Sequence, residues 1–324
     1  MRARFRAVLP YPVAISYKRI GACPEPDASR LLYILKSAEM LARLLGLLAV
    51  ADMRRVFSGR PMPASSPRDK LGAALRRPTF GSWLWILRTA MELIVDAGEQ
   101  PFLPQLQGIC LDTNGKPSCA LRCLGELVTV RNRFAHDGVP QDEWLHPRQI
   151  PAACETSLPL LDAALQDALF LEDYPLVFIS PIKVEKKRGA EPLYQRTTAQ
   201  LTGHSDLFDM ECQVSGNLTE TAEVLVHDPA RGRHLNLDPF VVYSDEGTEE
   251  RVAIDGSKNT IATNILDVFL YNGARGKHFS YLACNKGGEL ASHRCSRCDY
   301  LESGFRGFFA LLDDAAAAAS EAPE

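Results

Sequence analysis

The chain is predicted to be an α+β protein, with helices in its first half and mainly strands in its second. Two patterns predict this. Apolar residues recur every three to four positions as far as Leu171. From Tyr174 onward, short runs rich in β-branched and aromatic residues alternate with Gly, Asn and Asp. Composition adds a third observation: 324 residues, 46% hydrophobic and 23% charged, suffice for a sizeable buried core. The pattern changes near Glu172 to Tyr174. The expected organisation is a helical domain over 1–172, a β-rich domain over 173–312 closed by a short helix, and a low-complexity tail over 313–324.

The first long helix is expected from Ser29 to about Phe57, with Leu32, Leu35, Ala38, Leu45 and Leu48 on one face and Asp27 or Ser29 as its cap. Before it, Leu9 to Ile15 reads as extended because of Pro10 and Pro12. After it, Ser58 to Pro67 reads as a loop. A second helix is expected over Trp83 to Ala97, with Trp83 in the core. Pro101 and Pro104 end it, and Asn114-Gly115-Lys116-Pro117 forms a turn. Ser118 caps a third helix carrying Leu121, Leu124, Leu127 and Val128, with Gly138 as its C-cap. A fourth spans Pro151 to Leu171.

Five to seven strands are expected after that. They include Val177 to Ile179, Ala222 to Val226, Phe240 to Tyr243, Ile265 to Tyr271 and His278 to Leu282, with a closing helix near Gly304 to Leu312.

A net charge of −4 and a pI near 6.0 exclude a protein that coats nucleic acid electrostatically, so any such contact must be local. The apolar run from Leu41 to Met53 is broken by Arg43 and Asp52 and is too short to span a bilayer. The basic N-terminus is not followed by the apolar stretch of a secretory signal. Nine scattered cysteines fit reduced thiols, and the expected location is cytoplasmic, away from membranes. Phosphate loops, nucleophile elbows and H-E-x-x-H signatures do not occur.

The stretch with the most chemistry is Arg131-Asn132-Arg133-Phe134-Ala135-His136-Asp137-Gly138, at the end of the third helix. Arginine forks onto phosphate oxygens and keeps its charge, and histidine exchanges a proton near neutral pH. On a regular helix Arg131 and His136 lie about 140° apart. Only a long Arg side chain and a fraying helix end would bring both to one pocket, which a second copy of the helix across a twofold axis would complete. The simpler alternative is that Arg131, Asn132 and His136 merely cap the last turn.

Arg131-Asn132-x-x-x-His136 in the third of four helices resembles the signature of the HEPN (higher eukaryotes and prokaryotes nucleotide-binding) superfamily. The resemblance covers roughly residues 10 to 171 and rests on this motif and the helix count. It implies a four-helix bundle, a homodimer and a metal-independent endoribonuclease without cofactor, leaving 2′,3′-cyclic phosphate ends. Arg131 would stabilise charge on the transition state, His136 would act as general acid or base, and Asn132 would orient them. Arg133 is assigned to RNA contact. It further implies a regulated toxin or antiviral effector. Because roughly half the chain lies outside the helical bundle, the β-rich half is expected to recognise a trigger, a partner effector or an antitoxin protein and to gate the dimer site. The alternative is a non-catalytic sensor or adaptor that dimerises and docks a separate effector.

Cys295-Ser296-Arg297-Cys298, with His293 and Cys284, offers a zinc alternative; two thiols in a turn is the simpler reading. The charged stretches Lys183 to Arg188 and Arg231-Gly232-Arg233-His234 read first as strand ends and turns, then as phosphate contacts.

Overall fold

The computed structural model describes the chain except residues 63–65, 112–113, 136–144, 181–182, 186–187, 190–192, 206–209, 215–222, 245–246, 253–257, 264–266, 276–277, 286–288, 292–297 and 321–324. Its helical part contains α1 (Arg2–Val8), α2 (Tyr11–Ile20), α3 (Ala28–Val56), α4 (Ser66–Arg76), α5 (Phe80–Asp96), α6 (Gln105–Cys110), α7 (Cys119–Ala135) and α8 (Ile150–Asp167). A 3-10 turn over Ala168–Asp173 leads into the strands. These are β1 (Leu176–Ile179), β2 (Lys183–Glu185), β3 (Leu193–Gln200), β4 (Met210–Val214), β5 (Glu223–Asp228), β6 (Arg233–Asn236), β7 (Val241–Ser244), β8 (Gly247–Val252), β9 (Lys258–Thr263), β10 (Asp267–Arg275), β11 (His278–Ala283) and β12 (Glu289–Ala291). The helix α9 (Cys298–Ser320) follows. The chain is thus mixed α and β, as its two patterns predict.

The long helix α3 organises the fold. Asp27 caps it by accepting from the Arg30 N–H at 2.9 Å, satisfying one of the free donors of its first turn. It packs on α2, α5, α7 and α8, and also against β6 and β10. A helix between two layers must be apolar on most of its circumference, and α3 buries residues from Leu31 to Val56 accordingly. Trp83 of α5 is fully buried against it. Gly46 makes the close crossing possible, because a Cβ there would lie 2.9 Å from the Trp83 ring and 3.3 Å from its carbonyl oxygen. Helix propensity alone would make Gly46→Ala stabilising by about 1 kcal/mol. The crossing predicts the opposite sign, a loss of about 1–3 kcal/mol from overpacking, measured by urea unfolding.

The strands form two antiparallel sheets, in the order β2-β3-β1-β5-β6, with β4 also on β3, and β7-β10-β11-β12-β8-β9. One apolar core runs through helices and strands from Phe5 to Leu312. Polar contacts tie the same layers. The Tyr11 N–H donates to the Leu201 carbonyl at 3.0 Å, and the Tyr271 hydroxyl donates to the Leu75 carbonyl at 3.0 Å. Phe305 of α9 stacks on Phe279 of β11, with ring centroids 4.1 Å apart.

Several expectations are corrected. The segment after Pro10 is helical, because Pro10 takes the N-cap position of α2 and Pro12 sits in its first turn. Neither position needs a donating N–H, so proline is compatible with the helix there. The loop expected as far as Pro67 ends at Ser66, where α4 begins. Twelve strands occur among the described residues, against the five to seven expected. The last helix starts before Gly304 and continues past Leu312 into the tail. The C-cap assigned to Gly138 lies outside the described residues.

The two charges that break the apolar run of α3 are both buried. Asp52 accepts from the Phe102 N–H at 2.6 Å and from Arg55 Nε at 2.7 Å. Burial pushes its carboxyl above the ordinary carboxylate range, against the pull of the Phe102 N–H and Arg55. An acid whose folded pKa is raised contributes stability fully below its unfolded pKa and loses it as pH rises through the folded value. Asp52→Asn keeps an acceptor and cannot ionise. The advantage of wild type over Asp52→Asn is therefore expected to shrink as pH rises above about 4. Urea titrations across that range test this; an advantage that grows with pH would show that the Arg55 ion pair outweighs burial.

No helix among the described residues is long and apolar enough to cross a membrane.

Candidate functional site

Helix α7 positions the polar cluster. The Ser118 hydroxyl accepts from the Leu121 N–H at 3.1 Å, and Asp167 accepts from the Ala120 N–H at 3.0 Å, so the helix start is satisfied from two directions. Its first turns bury Ala120, Leu121, Cys123, Leu124 and Leu127 against the core. Its end emerges from the core: Val130, Arg131, Asn132, Arg133 and Phe134 are half-buried, and Ala135 is exposed. The change follows from sequence, since the apolar repeat stops after Val128 and charged residues take over.

Arg131 and Asn132 are brought together, with Arg131 Nη1 3.4 Å from Asn132 Oδ1. The Arg133 carbonyl accepts from the Leu145 N–H at 3.2 Å, so the chain is back at the end of α7 by Leu145. His136 lies outside the described residues. The helix C-terminus is the negative end of the macrodipole and favours cations, which suits the guanidinium groups of Arg131 and Arg133. Arg131 with Asn132 can bind an anionic oxygen by a charge-assisted hydrogen bond and an amide donor.

The proposed zinc ligands sit apart in character. Cys284 is closed in the core, and burial pushes its thiol well above the ordinary range. Cys298 opens α9, and His293 and Cys295 lie outside the described residues. Among the described residues no three His, Cys, Asp or Glu side chains are grouped to hold a metal ion. Cys23, Cys110, Cys119, Cys123, Cys154, Cys284 and Cys298 are free thiols. Lys183 to Glu185 form β2, paired with β3, and Gly232 turns the chain between β5 and β6 at φ +60°.

A polar cluster that sequence reasoning missed surrounds Arg43. This residue is 3% exposed. Its Nη1 donates to Asn272 Oδ1 at 2.7 Å, its Nη2 donates to Glu39 Oε1 at 3.0 Å, and its guanidinium lies 5.5 Å from the Trp83 ring centroid. The signal was present in the sequence: a lone arginine on the apolar side of a helix requires buried partners.

No protein-family model matches the chain, and no curated protein or solved structure matches it either.

Proposed function

We propose that the protein is a metal-independent endoribonuclease that works as a cytoplasmic homodimer with a HEPN-like helical bundle. The observation that carries this reading is the pairing of Arg131 with Asn132 at the emerging end of α7, one turn before His136 in the chain. Arg131 stabilises negative charge as the phosphodiester is attacked. His136 takes the proton of the ribose 2′-hydroxyl or gives one to the leaving oxygen, and Asn132 orients the pair. Arg133 contacts the RNA backbone. The half-buried apolar side chains of Val130 and Phe134 beside these residues suit a contact with a second copy of α7. The strand half, which shares the core of α3, is assigned to sensing the trigger or partner of a regulated toxin or antiviral effector.

The test is incubation of the purified full chain with total RNA and tRNA in EDTA, beside Arg131→Ala and His136→Ala. Cleavage by wild type and its loss in both variants supports the reading. A folded dimer that does not cleave supports instead a sensor or adaptor that docks a separate effector.

A further inference from the structure

A cavity of about 450 Å3 opens where the corner between α4 and α5 meets β10 and β11. Arg76, Arg77, Thr79, Asn272, Gly273 and Ser280 are among its lining residues, and no carboxylate lines it. Arg77 is exposed and makes no ion pair among the described residues. Arg76 is partly neutralised, since it pairs with Asp313 at 2.9 Å and covers the Phe309 ring at 4.5 Å.

The wall opposite is built for a donor. The register of β10 on β11 shifts between Tyr271 and Gly273, leaving Asn272 as the extra residue of a bulge. A bulge re-aims the side chain it carries. The Asn272 oxygen accepts from buried Arg43, which leaves the amide NH2 as the remaining donor of a side chain that belongs to the cavity lining. The Arg43 charge behind it polarises that NH2 towards an anion. Gly273 has φ +123°, and a Cβ there would lie 3.0 Å from the Arg76 carbonyl oxygen. Only glycine lets the bulge come this close to the α4–α5 corner. The Ser280 hydroxyl donates to the Gly273 carbonyl at 3.2 Å and holds the bulge. At the start of α5 the capping box of Thr79 and Ser82 satisfies the N–H groups of those two residues. The donors assigned to a ligand are the Arg77 and Asn272 side chains, both of which line the cavity.

The cavity is linked to the Arg131 cluster through the start of α5, whose N-cap Thr79 lines it. Gly81, two residues beyond Thr79, faces α7, where a Cβ on it would lie 3.5 Å from Val128 Cγ1. Arg131 and Asn132 follow Val128 by three and four residues, which places them on the same face about one turn on.

The geometry points to a phosphate-binding subsite in which Arg77 and the Asn272 amide hold a backbone phosphate of the RNA strand that reaches Arg131 and Asn132. This rests on the ribonuclease reading for the identity of the strand. The phosphate chemistry itself would suit a free pyrophosphate group as well, and the test separates the two.

A labelled 2′-O-methyl RNA, which lacks the attacking hydroxyl, is titrated by anisotropy against the full-length wild type, Arg77→Glu and Asn272→Asp at about 100 mM salt. Circular dichroism checks that each variant is folded; exposed Arg77 keeps the experiment valid if Asn272→Asp is not. The expected result is at least tenfold weaker binding, with the salt slope reduced by about 1 for Arg77→Glu. Unchanged binding in Arg77→Glu, or no binding by wild type, would overturn the subsite for RNA. Binding of inorganic pyrophosphate that is lost in Arg77→Glu, without RNA binding, would likewise overturn the strand assignment and leave a small-anion site. If wild type binds RNA through Arg77 yet cleaves none, the subsite stands and the catalytic reading falls.

Discussion

Arg43→Ala is expected to destabilise the protein by about 3 kcal/mol, at the lower end of the range for breaking a buried ion pair because Glu39 retains 28% side-chain exposure. Three losses combine. Glu39 loses its cation, Asn272 Oδ1 loses its donor, and Trp83 loses the group packed on its ring. Burial lowers the Arg43 pKa while Glu39 opposes it, so the charge is held inside only by these partners. Arg43→Met restores the volume of the stem without a charge and should recover more than half of the loss, most fully when combined with Glu39→Gln. Urea midpoints of wild type and the three variants measure this. A loss below 1 kcal/mol in Arg43→Ala would show that the cluster contributes little to the contact between α3 and β10. Because Arg43 also holds the Asn272 oxygen, the proposed subsite predicts that Arg43→Met weakens RNA binding even where stability is recovered.

On the proposed ribonuclease reading, the largest effect on activity is expected at Arg131 and His136. Loss of general acid–base catalysis in His136→Ala should lower the cleavage rate by roughly 10²–10⁴. Loss of charge stabilisation in Arg131→Ala should lower it by roughly 10²–10³. The double variant should fall little below the worse single one, since residues that act together on one transition state are not additive. Arg133→Ala, assigned to backbone contact alone, should raise the RNA concentration needed while leaving the saturated rate nearly intact. Single-turnover cleavage separates the two effects. Equal rates for wild type and His136→Ala would remove the histidine from the mechanism.

The legible parts of this fold are those in which one residue pattern and one solvent boundary coincide. Helices α3, α5, α7 and α8 carry apolar stripes long enough to register at helical spacing. Strands β1, β5, β7, β10 and β11 are rich in buried Val, Leu, Phe and Tyr. Strands β8 and β9 carry sequences such as Glu249-Glu250-Arg251, in which no apolar alternation marks a strand. Helix α2 was obscured by Pro10 and Pro12, whose effect on a helix depends on whether they stand at its start or inside it. The Arg131–Asn132 pair was legible because its residues are adjacent and end an apolar helix. The Arg43–Asn272 contact joins residues 229 apart through a β-bulge, and local pattern carries no trace of such a pairing.

The most direct measurement of the central claim is the end chemistry of RNA fragments produced by the full chain in EDTA, read by mass spectrometry. Attack by the ribose 2′-hydroxyl at Arg131, Asn132 and His136 predicts 2′,3′-cyclic phosphate and 5′-hydroxyl ends, absent with Arg131→Ala and with His136→Ala. Fragments with 3′-hydroxyl and 5′-phosphate ends, or cyclic ends that persist in both variants, would contradict it.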